Sequence, residues 1–132
     1  MSKQAGTYTV ECKDRIKGHW KDTRKSLLKL YKANNYERFH EYGLHFDYVD
    51  PHTFDNQPIG YYRYLLSWGG PADELRYLDT GVIQYNFQDW FDGAVLDITK
   101  DPLALWVLDQ FAFDLSGLFK PSNIWVERAG IK

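Results

Sequence analysis

The chain has 132 residues, of which 44% are hydrophobic and 26% charged, with five prolines and a net charge of −2. That is long enough to bury one core without staples, and the balance of hydrophobic to charged residues excludes a disordered chain. Every apolar stretch is interrupted before the roughly 20 residues that a membrane-spanning helix needs, and the N-terminus has no apolar signal region, so a cytoplasmic protein with no membrane association is expected.

The first predicted element is a helix over residues 12–33. Ile16, Trp20, Thr23, Leu27, Leu30 and Tyr31 recur at spacings of three and four and so share one face. Lys13, Lys17, Lys21, Lys25 and Lys29 recur every fourth residue as a basic stripe elsewhere on it. Gly18 weakens the early turns, and Asn34-Asn35 is the expected stop. Cys12 is the only cysteine and has no disulfide partner within the chain. Lys13 and Arg15 are positioned to lower its pKa, but no histidine is placed beside it, so an incidental thiol is expected rather than a nucleophile.

Residues 36, 39 and 42 are aromatic at helical spacing and predict a short continuation, after which Leu44, Phe46 and Tyr48 alternate with polar residues as in a half-buried strand. Prolines and Asx residues make 50–58 a surface loop. Segments 61–68, 74–78, 82–90 and 94–98 are rich in aromatic or β-branched residues, and Gly69-Gly70-Pro71, Asp79-Thr80-Gly81 and Asp92-Gly93 supply turns between them. Links this short join antiparallel neighbours, because a parallel crossover needs a dozen or more residues. A four-stranded meander is predicted, with 44–49 as a fifth strand.

Asp101-Pro102 then opens a C-terminal helix, with proline at the first helical position. Leu105, Leu108, Phe111, Ala112 and Leu115 line one face of it through about residue 118, to be packed on the sheet. The tail from Pro121 carries Ile124, Trp125 and Val126, with docking and an edge strand both open. The expected fold is therefore α+β, one domain over 1–132: an antiparallel four- to five-stranded meander with an N-terminal and a C-terminal helix.

Charge is distributed unevenly. Residues 1–38 hold ten Lys/Arg against four Asp/Glu, and residues 39–119 hold three against thirteen. The lysine stripe, with Lys17, Lys21, Lys25 and Lys29 as its centre, is a candidate for nucleic-acid phosphates. The acidic body is the other candidate surface. Asp73, Glu74, Asp89 and Asp92 fall at the ends of neighbouring strands, and with Trp68 and Trp90 they form a candidate acidic and aromatic partner-binding face. The same carboxylates raise a third possibility, a carboxylate- or metal-dependent hydrolase. The four histidines lack zinc spacing, and nucleotide-binding glycine loops and a Gly-x-Ser-x-Gly elbow are missing, so no catalytic residue, metal or cofactor is assigned.

The blocks Leu66-Ser67-Trp68-Gly69-Gly70-Pro71-Ala72-Asp73-Glu74-Leu75 and Gln88-Asp89-Trp90-Phe91-Asp92-Gly93-Ala94 resemble small uncharacterised proteins carried by phages, plasmids and other mobile elements. The resemblance covers about the central quarter of the chain and implies a genomic context in which compact proteins block host defences. It leads to the expectation of a non-enzymatic binding protein, monomer or small homo-oligomer. Its partner would be a host protein or protein–nucleic acid complex of the restriction or CRISPR type. A nucleic-acid-associated accessory protein using the lysine helix is the alternative.

Overall fold

The computed structural model describes residues 12–34, 36–69, 71–89, 92–111 and 124–128. Along the chain they form α1 (Cys12–Ala33), α2 (Tyr36–Tyr42), β1 (His45–Val49), β2 (Tyr61–Ser67), β3 (Ala72–Leu78), β4 (Ile83–Asp89), β5 (Asp92–Asp97), α3 (Pro102–Asp109) and α4 (Ile124–Arg128). The five strands form one antiparallel sheet in the order β1-β2-β3-β4-β5, so every strand lies beside its neighbour in sequence. The fold is α+β with the predicted strand order, although Asp92-Gly93, expected as the last turn, lies instead within β5, where Asp92 pairs with Asp89 and Gly93 with Gln88. Gly81, in the β3–β4 turn, has a φ of +97°, a conformation that glycine adopts without steric cost.

Register decides which side chains share a face. Tyr64 pairs with Leu75, Leu75 with Tyr85, and Tyr85 with Leu96, and this row with its neighbours Tyr62, Tyr77, Ile83 and Phe87 points toward the helices. All of them except Leu96 are buried. Helix α1 lays its buried stripe of Ile16, Trp20 and Leu27 over the β4–β5 side of this face. Trp20 packs against Tyr85 with ring centroids 5.0 Å apart, and His19 stacks on Phe87 at 4.2 Å. At the β1–β2 side, Phe39 of α2 and Phe111 after α3 meet Phe46 and Tyr64 in an aromatic cluster.

The helix ends follow from local chemistry. Asn34 takes a left-handed φ of 50° and its N–H reaches the Tyr31 carbonyl, which closes α1 at the predicted stop. Asp101 caps α3 by accepting the Leu103 N–H at 3.0 Å, with Pro102 at the first helical position. That helix ends at Asp109, sooner than the apolar periodicity predicts, in a tightened turn where the N–H groups of Gln110 and Phe111 bond Val107 and Leu108. The remaining predicted turns, with Ala112 and Leu115, lie outside the described residues.

Of the two options for the tail, docking is the one observed. Trp125 is fully buried, its indole N–H donates to the Leu78 carbonyl at 2.6 Å, and its ring meets Tyr77 edge-on. Arg128 bonds the Gly81 carbonyl beside it.

Candidate functional site

The helices cover one face of the sheet. On the other, among the described residues, no helix packs, and the alternate strand positions present a largely polar surface, with the apolar row Val49, Tyr61 and Leu78 at one end. Reading across the strands, Asp47 pairs with Arg63, Arg63 with Arg76, Arg76 with Gln84, and Gln84 with Asp97. A second row runs Leu65, Glu74, Asn86 and Val95.

Ion pairs hold this surface in a fixed pattern. Arg63 grips Asp47 with two bonds, Nε to Oδ1 at 3.0 Å and a terminal nitrogen to Oδ2 at 2.7 Å. Burial alone would raise the Asp47 carboxyl, but the Arg63 guanidinium outweighs it and holds Asp47 below the usual carboxylate range. His45 adds a contact of 3.3 Å to the same carboxylate. Arg76 donates to Glu74 at 2.6 Å and lies over the Tyr61 ring, 4.6 Å from its centroid. That arrangement leaves Glu74 only 8% exposed, with its charge matched.

Beside these pairs lies a groove of about 350 Å³ lined by Trp68, Glu74, Arg76, Asn86, Gln88 and Val95 among others. Gln84, Asn86 and Gln88 alternate along β4 with Tyr85 and Phe87, so their amides line the open face while the rings fill the core. Trp68 stands at the rim with 77% of its surface exposed. Two stretches of the sequence, 66–75 and 88–94, converge here. The first supplies Trp68, Ala72, Asp73 and Glu74, and the second supplies Gln88, Gly93 and Ala94. Register explains the meeting, because Ala72 pairs with Gln88 and Gln88 with Gly93.

The four carboxylates expected to share one face are divided. Glu74 belongs to the open face. Asp73, its neighbour, projects to the helix side, where it accepts the Ser67 hydroxyl at 2.5 Å and the Tyr85 hydroxyl at 2.6 Å. Asp89 and Asp92 sit at the end of the β4–β5 hairpin and are used to seat α1. Arg15 donates to Asp89 at 2.6 Å, and the Cys12 N–H donates to Asp92 Oδ2 at 2.7 Å, which holds Asp92 below the usual carboxylate range. Trp90 lies outside the described residues.

The lysine stripe is placed as the periodicity predicts. Lys17, Lys21, Lys25 and Lys29 are all exposed on α1, away from the sheet. Cys12 is buried, and burial together with the adjacent Asp92 carboxylate pushes its thiol pKa up, the reverse of what Lys13 and Arg15 alone would do. Its Sγ donates to the Asp92 carbonyl at 3.3 Å.

The arginines Arg63 and Arg76 and the β4 amides were not singled out by sequence reasoning. Their signal was present: polar residues at every second position of a strand whose other positions are aromatic. Among the described residues, no three or more His, Cys, Asp or Glu come together as a metal-holding group, and no helix is long and apolar enough to cross a membrane. No family model matches the chain, and neither a curated protein nor a solved structure matches it.

Proposed function

We propose that the chain is a non-enzymatic binding protein that holds a host protein or protein–nucleic acid complex against the sheet face on which none of the described helices packs, with Trp68 as the apolar anchor. The groove beside Trp68 carries this reading, because both resemblance-bearing blocks contribute to its walls. A largely exposed indole has a large apolar area to bury, and buried tryptophans are frequent energetic centres of interfaces. Glu74, Arg76, Asn86 and Gln88 supply the hydrogen-bonding rim that an interface core requires. The contact is amphipathic and near-neutral rather than uniformly acidic, since Asp47 and Glu74 are matched by Arg63 and Arg76.

In its fuller form the reading makes the chain an inhibitor, encoded by a mobile element, of a nucleic-acid-targeting host defence of the restriction or CRISPR type. A hydrolase has less support, because Asp73, Asp89 and Asp92 are each engaged by internal donors. The test is phage survival in cells that carry such a defence and express the chain. Parent chain should raise survival, and Trp68→Ala should return it toward the unprotected level, as loss of a hot spot of about 2 kcal/mol or more would. Survival unaffected by the parent chain across representative restriction and CRISPR systems would remove the inhibitory reading. Equal inhibition by parent and Trp68→Ala would move the contact elsewhere.

A further inference from the structure

We propose that the outward face of α1 is a docking surface for the phosphate backbone of duplex DNA, independent of the sheet face and on the other side of the molecule. Helix α1 has 22 residues and so extends about 33 Å, with lysines four apart separated by about 6 Å along its axis. Its two kinds of cation are sorted by direction. Arg15 and Arg24 turn inward and are paired, Arg15 with Asp89 at 2.6 Å and Arg24 with both oxygens of Asp101 at 2.7 and 2.9 Å. Lys21, Lys25, Lys29 and Lys32 surround the direction opposite the buried stripe of Ile16, Trp20 and Leu27, with Lys17 on the flank. All five are exposed, and among the described residues none lies within ion-pair distance of a carboxylate.

The remaining groups on this face are consistent with a polyanion. Asp14 and Asp22 are its only acids on α1, which leaves a net positive face. Repulsion of DNA by the acidic residues of the body is reduced at this helix, because Asp89 and Asp101, two of the acids beneath α1, are paired with its own arginines. Gly18 lies between Lys17 and Lys21 on the outward side, exposed, and a side chain there would meet nothing within 4 Å. Glycine costs about 1 kcal/mol relative to alanine in a helix interior, and packing within the chain does not require it. What its absent side chain provides is close approach of another molecule to the helix backbone. Duplex rather than single-stranded nucleic acid is the fit, because no aromatic ring stands among Lys21, Lys25 and Lys29, and Tyr31, the exposed tyrosine of α1, packs edge-on against Trp106. A straight helix matches the rigid rows of phosphates along a duplex, which carries one charge per about 1.7 Å of axis.

The test is fluorescence anisotropy of the full chain with a labelled duplex over a salt series, alongside the single strand and vesicles containing an anionic lipid. Duplex binding is expected, with log K falling against log salt at a slope of about −3 to −4, from about 0.9 per phosphate contacted. The triple variant Lys21→Glu, Lys25→Glu, Lys29→Glu should abolish it, and the corresponding triple arginine variant should retain it. Circular dichroism of both variants checks that these exposed substitutions leave the fold intact. No duplex binding at low salt, unchanged binding by the glutamate variant, or preference for the single strand or the vesicles would each overturn the proposal.

Discussion

Gly18 is the residue where helix propensity and packing disagree most openly, since it sits mid-helix with free space around it. Gly18→Ala should stabilise the isolated protein by about 1 kcal/mol, read as a higher midpoint in urea denaturation. Gly43 behaves oppositely. A Cβ there would fall 2.2 Å from the Tyr64 ring, which is buried between Phe39 and Phe111 and has no room to yield. Gly43→Ala should therefore destabilise by about 1–3 kcal/mol through overpacking, measured the same way. At this scale the sequence was legible where a residue type has one use, as with Asn34 ending α1 or Asp101 opening α3. It misled at Asp73 and Glu74, where adjacency in sequence was taken for a shared surface. Strand alternation puts successive side chains on opposite faces, and Leu75 and Tyr77 in the core already place Asp73 with them and Glu74 away from them.

Among the elements, α1 was legible from end to end because two patterns coincide in it, an apolar stripe and a lysine stripe. The meander was legible because short aromatic and β-branched runs are separated by links such as Asp79-Thr80-Gly81. The length of α3 was not, because apolar side chains continue at helical spacing past the point where its backbone tightens at Gln110. The seat of each helix was not legible either, as it depends on ion pairs between residues far apart in sequence. Arg24 and Asp101 form such a pair, and Asp101 also caps α3. Burial would raise the Asp101 carboxyl, but Arg24 and the Leu103 N–H hold it below the usual range, as Arg63 does for Asp47. A carboxylate with a lowered folded pKa contributes its full stability above the unfolded value of roughly 4 and loses it as the pH falls through the folded one. The urea midpoint should thus drop between neutral pH and the acid range, and Asp101→Asn should flatten part of that drop. For α4 the expectation rests on one side chain. Trp125→Ala should cost about 3–5 kcal/mol, because it empties a fully buried site against Tyr77 and removes one of the two donors to the Leu78 carbonyl, leaving it the Gly81 N–H alone.

For the molecule as a whole, the core is unusually phenolic. Tyr62 is pushed up to about 12 by burial and by the Asp79 carboxylate, and burial also drives Tyr48, Tyr64, Tyr77 and Tyr85 upward. A phenol with a raised folded pKa keeps its contribution below the unfolded value of about 10 and loses it as the pH climbs toward the folded value. Alkaline unfolding is therefore expected above that pH, with phenolate absorbance from these rings appearing together with loss of the circular dichroism signal. Separate titration of the buried rings in a folded chain would contradict it.

The meander pairs strands that are consecutive in sequence, but the helix laid across it comes from the opposite end of that order. Cys12, Arg15 and Arg24 take their partners 80, 74 and 77 residues downstream, in Asp92, Asp89 and Asp101. During synthesis, α1 leaves the ribosome well before the strands that receive Trp20 and Ile16 exist. Until the last hairpin is made, its apolar stripe has no sheet to cover it, and the exposed lysines of the same helix oppose self-association at that stage.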